Sequence, residues 1–303
     1  MNRRTFLTST AAFAALGPLS PRTLAGATKP IRSHRKAFMY STLSSATAKT
    51  LSVLDKFKLI REAGFAGVEV GSAMDQQVVL AARDATGLII PSVIIATHWT
   101  HPLTSPNPSM RETGLNGLRQ GLRDAKAYGA SSVLLVPGIV SKEIAYIDAY
   151  TRAAAEITKA IPLAEELGVA IAIENVWNKF LLSPLEAAAF VDSFKTKAVR
   201  WHFDVGNVVD TGWPDQWVRT LGARIAKIHV KEYSRKLRDE KGPRHGFNVD
   251  LLNGDSDWPA VMAALDAVDY NGWLIAEQYR VPDLTDAAWL SHLSTKMDQI
   301  IAS

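Results

Sequence analysis

The chain has 303 residues, 47% of them apolar, and a formal net charge of +4, which suits one large α/β domain with a substantial core. Basic residues form no run beyond the N-terminus, so nothing points to nucleic acid, and no apolar stretch after residue 30 is long enough to span a bilayer. With no cysteine, disulfides and thiolate catalysis are both excluded.

Met1-Asn2-Arg3-Arg4-Thr5-Phe6-Leu7 carries a twin-arginine pattern. An Ala-rich apolar run follows to about Leu19, and the small-residue triplet Ala25-Gly26-Ala27 is suited to cleavage. The expectation is a signal peptide over residues 1–27, a mature chain starting near Thr28, and export to the periplasm. A plain amphipathic N-terminal helix is the alternative. The twin-arginine route carries folded proteins, so a metal can be loaded before export.

Residues 36–43 form the first strand candidate, and 51–63 show apolar positions at helical spacing before Gly64. A short β-branched strand, 67–70, is followed by a helix over 75–86 that Gly87 stops. Residues 88–97 read as a third strand, leading into a loop over 98–109 long enough to act as a lid or binding loop. Next come a helix over 111–128, a strand over 132–137, and a helix over 145–167 kinked at Pro162. The fifth strand is 169–174; after a loop, Pro184 starts a helix that runs to 194. The sixth and seventh strands are 199–204 and 225–231, with a short helix over 215–221 between them. The charged loop 233–255, with Gly242, Pro243, Gly246 and Gly254, reads as an active-site loop. A helix from Trp258 to Val268, a strand over 272–277 and an amphipathic helix over 285–302 complete the chain. Eight strands alternating with eight helices, and no glycine-rich phosphate loop after the first strand, predict a single-domain α/β fold over 28–303, a (β/α)8 TIM barrel rather than an open doubly wound sheet.

Four short apolar runs each end in a residue able to bind a metal: AIAIEN at Glu174, RWHFDVGN at Asp204, AKIHVKEYSR at His229 and WLIAEQY at Glu277. A (β/α)8 barrel puts its chemistry at such C-terminal strand ends. One Glu or Asp at a strand end is ordinarily solvated or caps a helix; four on the last four strands together make a site. Two Glu, one Asp, one His and no sulfur suit Mn, Mg, Co or Zn and argue against a closed structural zinc site.

Strand alternation puts His202 and Asp204 on one face, and Lys227, His229 and Lys231 on one face. If the ligands face the barrel axis, Lys227 lies deep inside and needs a carboxylate, such as Glu69. His98, after the third strand, either lines the pocket or caps its loop, and His202 lies behind the ligands or in the core. Trp99, Trp177, Trp213 and Trp258 fall beyond strand ends. Two or three of them are expected to form an apolar wall or roof for a sugar ring, with core packing the plainer reading for each.

The series Ile-Glu-Asn (173–175), Asp-Val-Gly-Asn (204–207), His-Val-Lys-Glu (229–232) and Ala-Glu-Gln (276–278) resembles the xylose isomerase-like TIM barrels, above all their sugar (phosphate) isomerases and epimerases, over almost the whole mature chain. The resemblance implies one divalent metal ion, Mn foremost, held by Glu174, Asp204, His229 and Glu277, with Glu174 and Glu277 as the proton-transferring pair. In ketose 3-epimerases of this superfamily an Arg six residues after the metal His binds substrate, the position held here by Arg235. Lys231, Asn207, His98, Trp177 and His202 complete the expected substrate-binding set. Asn207 stands where those epimerases have a substrate-binding His, Phe180 where they have a Glu, and Val136-Pro137-Gly138 lacks their His before Pro-Gly; these departures leave the sugar's identity open.

A metal-chelated carbonyl and hydroxyl acidify the hydrogen between them and stabilise the resulting enediolate, while a carboxylate on each side takes and returns a proton. Return on the opposite face is epimerisation, return to the neighbouring carbon is isomerisation, and a leaving group at the β-position gives elimination. The leading expectation is therefore an exported sugar isomerase or epimerase acting on an unphosphorylated carbohydrate; the alternative is a 3-keto-glycoside lyase with the same groups. Phosphodiester hydrolysis, as in the endonuclease branch, lacks the further His ligands and a basic groove, and a non-catalytic carbohydrate-binding barrel would not need the ligand set. The expected partner is a small carbohydrate, with no nucleic acid and no lasting membrane insertion; assembly of identical chains stays open.

Overall fold

The computed structural model describes residues 32–280 and 283–303. The signal peptide expected over 1–27 and the start expected near Thr28 lie outside the described residues. Eight parallel strands close in sequence order into a barrel in which β1 (Arg35–Met39) pairs with both β2 (Gly67–Gly71) and β8 (Trp273–Ala276). Between them run β3 (Ser92–Ile94), β4 (Ser132–Leu135), β5 (Ala170–Glu174), β6 (Val199–Asp204) and β7 (Ile225–Val230). Helices on the outside and a packed interior bury both faces of these strands, which explains their near-continuous apolar runs. The fold is a single (β/α)8 TIM barrel.

Twelve α-helical segments occur among the described residues: α1 (Ala46–Thr50), α2 (Val53–Glu62), α3 (Gln76–Thr86), α4 (Pro108–Tyr128), α5 (Tyr146–Thr158), α6 (Ile161–Leu167), α7 (Pro184–Ser193), α8 (Gly206–Val209), α9 (Pro214–Leu221), α10 (Arg235–Lys241), α11 (Trp258–Ala267) and α12 (Asp286–Ala302). Side chains of Ser52, Asp75, Ser183 and Thr285 cap α2, α3, α7 and α12, each cap contributing about 1 kcal/mol. None of these helices is long and apolar enough to cross a membrane.

The structure differs from the sequence expectation along the chain: the strand expected over 36–43 ends at Met39 and a 3-10 turn, Tyr40–Thr42, follows it. β3 has three residues: Pro91, with no N–H to give to a ladder, separates it from an isolated bridge at Ile89. Residues 145–167 form two helices: a proline ring clashes with the carbonyl four residues back, here that of Thr158, so α5 ends there and Pro162 sits in the first turn of α6. The short helices α1 and α8 had no periodic signature. The loop after β7 contains α10 and a 3-10 segment, Pro243–Phe247.

The main core lies between strands and helices, with Phe38, Phe57, Trp201, Phe203 and Trp289 fully or nearly fully buried. Ala37, Trp273 and Ile275 form a separate small core. In β8 the alternation that turns Ile275 inward also turns Glu277 inward, so the same periodicity fills the barrel floor and places a carboxylate at its mouth.

Candidate metal and active site

Glu174 ends β5, Asp204 ends β6, His229 lies one residue from the end of β7, and Glu277 follows β8. The register pairs Asp204 with His229 across β6 and β7. One ligand-type atom from each of the four residues lies within 4.8 Å of all the others. His229 Nδ1 is 2.9 Å from Glu174 Oε1, 2.8 Å from Glu277 Oε2 and 3.9 Å from Asp204 Oδ2. Its Nε2 is 2.8 Å from Glu69 Oε2. Lys231 Nζ lies 2.8 Å from Asp204 Oδ2 and 2.9 Å from Glu277 Oε1.

These residues fit a divalent cation. Asp204 Oδ2 is buried and receives no well-aligned hydrogen bond, the nearby ammonium notwithstanding. Three carboxylates and one imidazole nitrogen converge with no sulfur, a donor set for a hard or borderline ion. The Glu69–His229 contact is the carboxylate–imidazole pairing that fixes a ligating ring's tautomer and orientation.

Burial crowds like charges here and spreads their proton affinities. It pushes the Glu174 carboxyl up to about 7 and the Asp204 carboxyl up to about 6. Burial acts on Glu277 in the same sense, but Lys231 and His229 outweigh it and hold that carboxyl well below the usual range. The His229 ring, despite burial, is raised well above its ordinary value by Glu69, Glu277 and Glu174, and Lys231 is likewise raised by Asp204 and Glu277.

Asp204 and the loop after β7 are held by side-chain bonds to the backbone. Asn175 Nδ2 donates to the Asp204 carbonyl at 2.7 Å, while its Oδ1 accepts from Asp204 N at 3.0 Å and from Trp201 Nε1 at 3.1 Å. Asn207 N donates to Asp204 Oδ1 at 2.8 Å, and Trp177 Nε1 donates to the Asn207 carbonyl at 2.9 Å. At Gly206 a Cβ would sit 2.7 Å from the Lys231 carbonyl oxygen and 2.9 Å from its Cβ, so glycine there lets Lys231 pass. Buried Glu232 accepts from Leu252 N, Ser256 N and Trp258 Nε1 at 2.9, 3.1 and 2.9 Å. It thereby ties the loop after β7 to the start of α11.

That loop completes a cleft of about 260 Å³ over the carboxylates. Of the expected residues, Glu174, Glu277, Lys231, Asn207, His98 and Trp177 line it. Burial pushes His98 down to about 4, and its Nδ1 accepts from Val136 N at 3.2 Å. The neutral ring therefore carries its hydrogen on Nε2.

Two expected residues are placed elsewhere. Arg235 donates to the carbonyls of Val209 and Gly212, both at 3.0 Å, with Trp213 5.5 Å from its guanidinium; it ties α10 to the α8 segment and does not line the cleft. His202 is fully buried, 4.1 Å from the His229 ring, and neither ring nitrogen has a partner among the described residues; it is a core group beneath the ligand. The expected Lys227–Glu69 pair also fails to form: Glu69 is bonded to His229, and Lys227 Nζ donates to Ser131 Oγ at 2.8 Å.

Sequence reasoning missed Arg244, Phe247 and Tyr279, which line the cleft beside Trp99. Phe247 packs against Trp177, Tyr233 and Tyr279 at ring separations of 5.0, 4.8 and 5.8 Å. The glycines around residue 244 signalled a loop, but no spacing singled out the arginine. Among the described residues a larger cavity, about 740 Å³ near Lys195 and Arg224, lies at the opposite ends of β6 and β7. Its Arg200 and Arg224 are already bonded to backbone carbonyls and to Asp192.

A family model described as xylose isomerase-like TIM barrel matches residues 57–294. The L-ribulose-5-phosphate 3-epimerase UlaE of Salmonella paratyphi C is 22% identical over 242 residues, covering 75% of this chain and 82% of that protein. Among solved structures, a D-psicose 3-epimerase in the presence of D-fructose aligns with a TM-score of 0.71 at 16% identity, over 89% of this chain and 100% of the other. The 3-keto-D-glucoside 4-epimerase YcjR from E. coli aligns with a TM-score of 0.72 at 14% identity, over the same shares. The family match spans most of the barrel and takes in all four converging strand ends, and the chain belongs to the xylose isomerase-like TIM barrel family.

Proposed function

We propose that the chain is a divalent-metal-dependent sugar isomerase or epimerase that moves a proton on a carbon beside a carbonyl, acting on an unphosphorylated carbohydrate after export by the twin-arginine route. The observation that carries this reading is that Glu174 and Glu277 line one cleft, each within 3 Å of His229 Nδ1. The 3-epimerase names of the relatives point the same way, and the twin-arginine pattern of the sequence supports export.

Glu174, Asp204, His229 and Glu277 would hold a divalent ion, Mn foremost, which when bound would polarise the substrate's carbonyl and neighbouring hydroxyl. Glu277, kept ionised by Lys231, takes the carbon-bound proton. Glu174 returns a proton to the other face or to the adjacent carbon; the roles exchange in the reverse direction. His98 offers its Nε2 hydrogen and Asn207, whose Nδ2 already donates to the Asn175 carbonyl at 3.0 Å, its Oδ1 to sugar hydroxyls. Trp177 and Phe247 cover the sugar's C–H faces and keep water out.

Elimination from a 3-keto-glycoside is the second reading, favoured by the alignment with a 3-keto-D-glucoside 4-epimerase. There Glu277 removes the proton beside the ketone, the C–O bond at the β-carbon breaks, and Glu174 protonates the departing oxygen. Incubating metal-loaded protein in deuterated water with ketoses and 3-keto-glycosides tests both. Deuterium beside the carbonyl of a recovered sugar supports the first reading and an unsaturated sugar the second; no change in any substrate rejects both.

A further inference from the structure

A second cavity, about 420 Å³, adjoins the cleft, and the two share Met39, Glu277 and Tyr279 as a common wall. It lies between residues 41–45, which follow β1, and residues 278–280, which follow β8. The hydroxyls of Ser41 and Ser44 are exposed, with no partner among the described residues. Tyr279, half-exposed, presents its ring at the junction. At 260 Å³ the cleft falls short of the roughly 300 Å³ at which ordinary small-molecule pockets begin, and the neighbouring cavity offers about 420 Å³ on the other side of the shared wall.

The charge of this annex selects its occupant. Its cation, Arg280, is paired with Asp286 and lies over the Trp289 ring at 4.9 Å. Asp286 also occupies the first turn of α12 and offsets the positive end of that helix. With Glu277 on the shared wall, the annex carries no surplus positive charge with which to hold a phosphate. Free hydroxyls beside a half-exposed aromatic ring suit a neutral, hydroxyl-rich ring.

We propose that the annex is a subsite for a second sugar unit, so that the substrate is a glycoside or keto-disaccharide whose carbonyl-bearing unit lies between Glu174 and Glu277. This rests on the proton-transfer reading above and names its substrate class. Linkage to a second unit extends the substrate past Glu277 and Tyr279, and the open hydroxyls of Ser41 and Ser44 bond to it.

Calorimetric titration of the metal-loaded protein with D-fructose, maltulose, isomaltulose and L-ribulose 5-phosphate is the test, with deuterium exchange run on the same probes. At least one keto-disaccharide is expected to bind roughly tenfold or more tightly than D-fructose. Ser44→Trp or Ser41→Trp, which fill the annex from exposed positions, are expected to bring it to within about threefold of D-fructose in protein whose melting temperature is unchanged. Keto-disaccharides no tighter than D-fructose, or an advantage that survives both variants, overturn the subsite, as does a preference for L-ribulose 5-phosphate that these variants abolish. A binding advantage without deuterium exchange supports the subsite and overturns only the proton-transfer chemistry.

Discussion

His229 pairs through Nε2 with Glu69 Oε2, 2.8 Å away, and so turns Nδ1 toward Glu174, Asp204 and Glu277. Glu69 is fully buried on β2, across the barrel from β7, and touches none of the other three ligand candidates at hydrogen-bond distance. Its contribution is the aim of one ring.

Glu69→Gln keeps an acceptor for Nε2–H but removes the charge that favours it. The expected loss of Mn affinity is about ten- to a hundredfold with all four ligands intact. Competition against a fluorescent chelator reads this directly, and unaltered affinity would detach Glu69 from the metal site.

Removing a ligand should do more. Asp204→Ala and His229→Ala should leave the purified protein with little of the roughly one metal ion per chain expected of the wild type, since the two groups among the described residues that could hold an ion, this cluster and Glu69, His202 and His229, share His229. Equal metal in all three proteins by elemental analysis rules this cluster out.

Metal binding should strengthen as pH rises through about 7. Glu174, pushed up to about 7 by burial, and Asp204, pushed up to about 6, hold protons at pH 5.5 that a metal must displace. The raised affinity of His229 for a proton acts in the same direction. Glu277, held low, is ionised throughout and adds no slope. The metal-induced gain in melting temperature should therefore be larger at pH 7.5 than at pH 5.5. Taking the difference with and without metal removes the opposing contributions of the neutral His98 and His202 rings, whose proton affinities burial lowers. A gain that is flat or falls with pH contradicts the assignment.

The two loop arginines should separate. Arg244 lines the cleft, and Arg244→Ala should lower kcat/KM by about ten- to a hundredfold with metal content unchanged, the scale of one charge-assisted hydrogen bond. Arg235→Ala should leave kcat/KM within about threefold and lower the melting temperature instead, because its guanidinium holds the carbonyls of Val209 and Gly212. The reverse pattern would return Arg235 to the substrate site.

The convergence of Glu174, Asp204, His229 and Glu277 was legible in the sequence because parallel strands buried on both faces read as apolar runs, and each of these four runs turned polar at a residue able to bind a metal. The barrel followed from the count and alternation of those runs. Illegible was whatever depends on stagger between distant strands: period two placed Lys227 inside and suggested a carboxylate such as Glu69 for it, but barrel geometry gave Glu69 to His229 and left Lys227 to Ser131. Arg244 and Phe247 reach the cleft along a loop whose path is fixed by Glu232, through bonds to residues 20 to 26 positions away, and no local pattern encodes such a path. Offset from His229 pointed to Arg235, yet α10 begins at that residue and turns its side chain to the α8 segment.

The central claim is that Glu174 and Glu277 move a proton between the two sides of a bound sugar. Its most direct test is solvent deuterium exchange and product formation by Glu174→Gln and Glu277→Gln, loaded with metal and given the substrate that the wild type uses. Glutamine keeps the size and one oxygen donor while removing the base. Each variant should fold, retain metal and lose turnover by about a hundredfold or more, with one of them still exchanging the carbon-bound hydrogen without inverting the centre, because one face keeps its carboxylate. Turnover by both variants at the wild-type rate would contradict the two-carboxylate account.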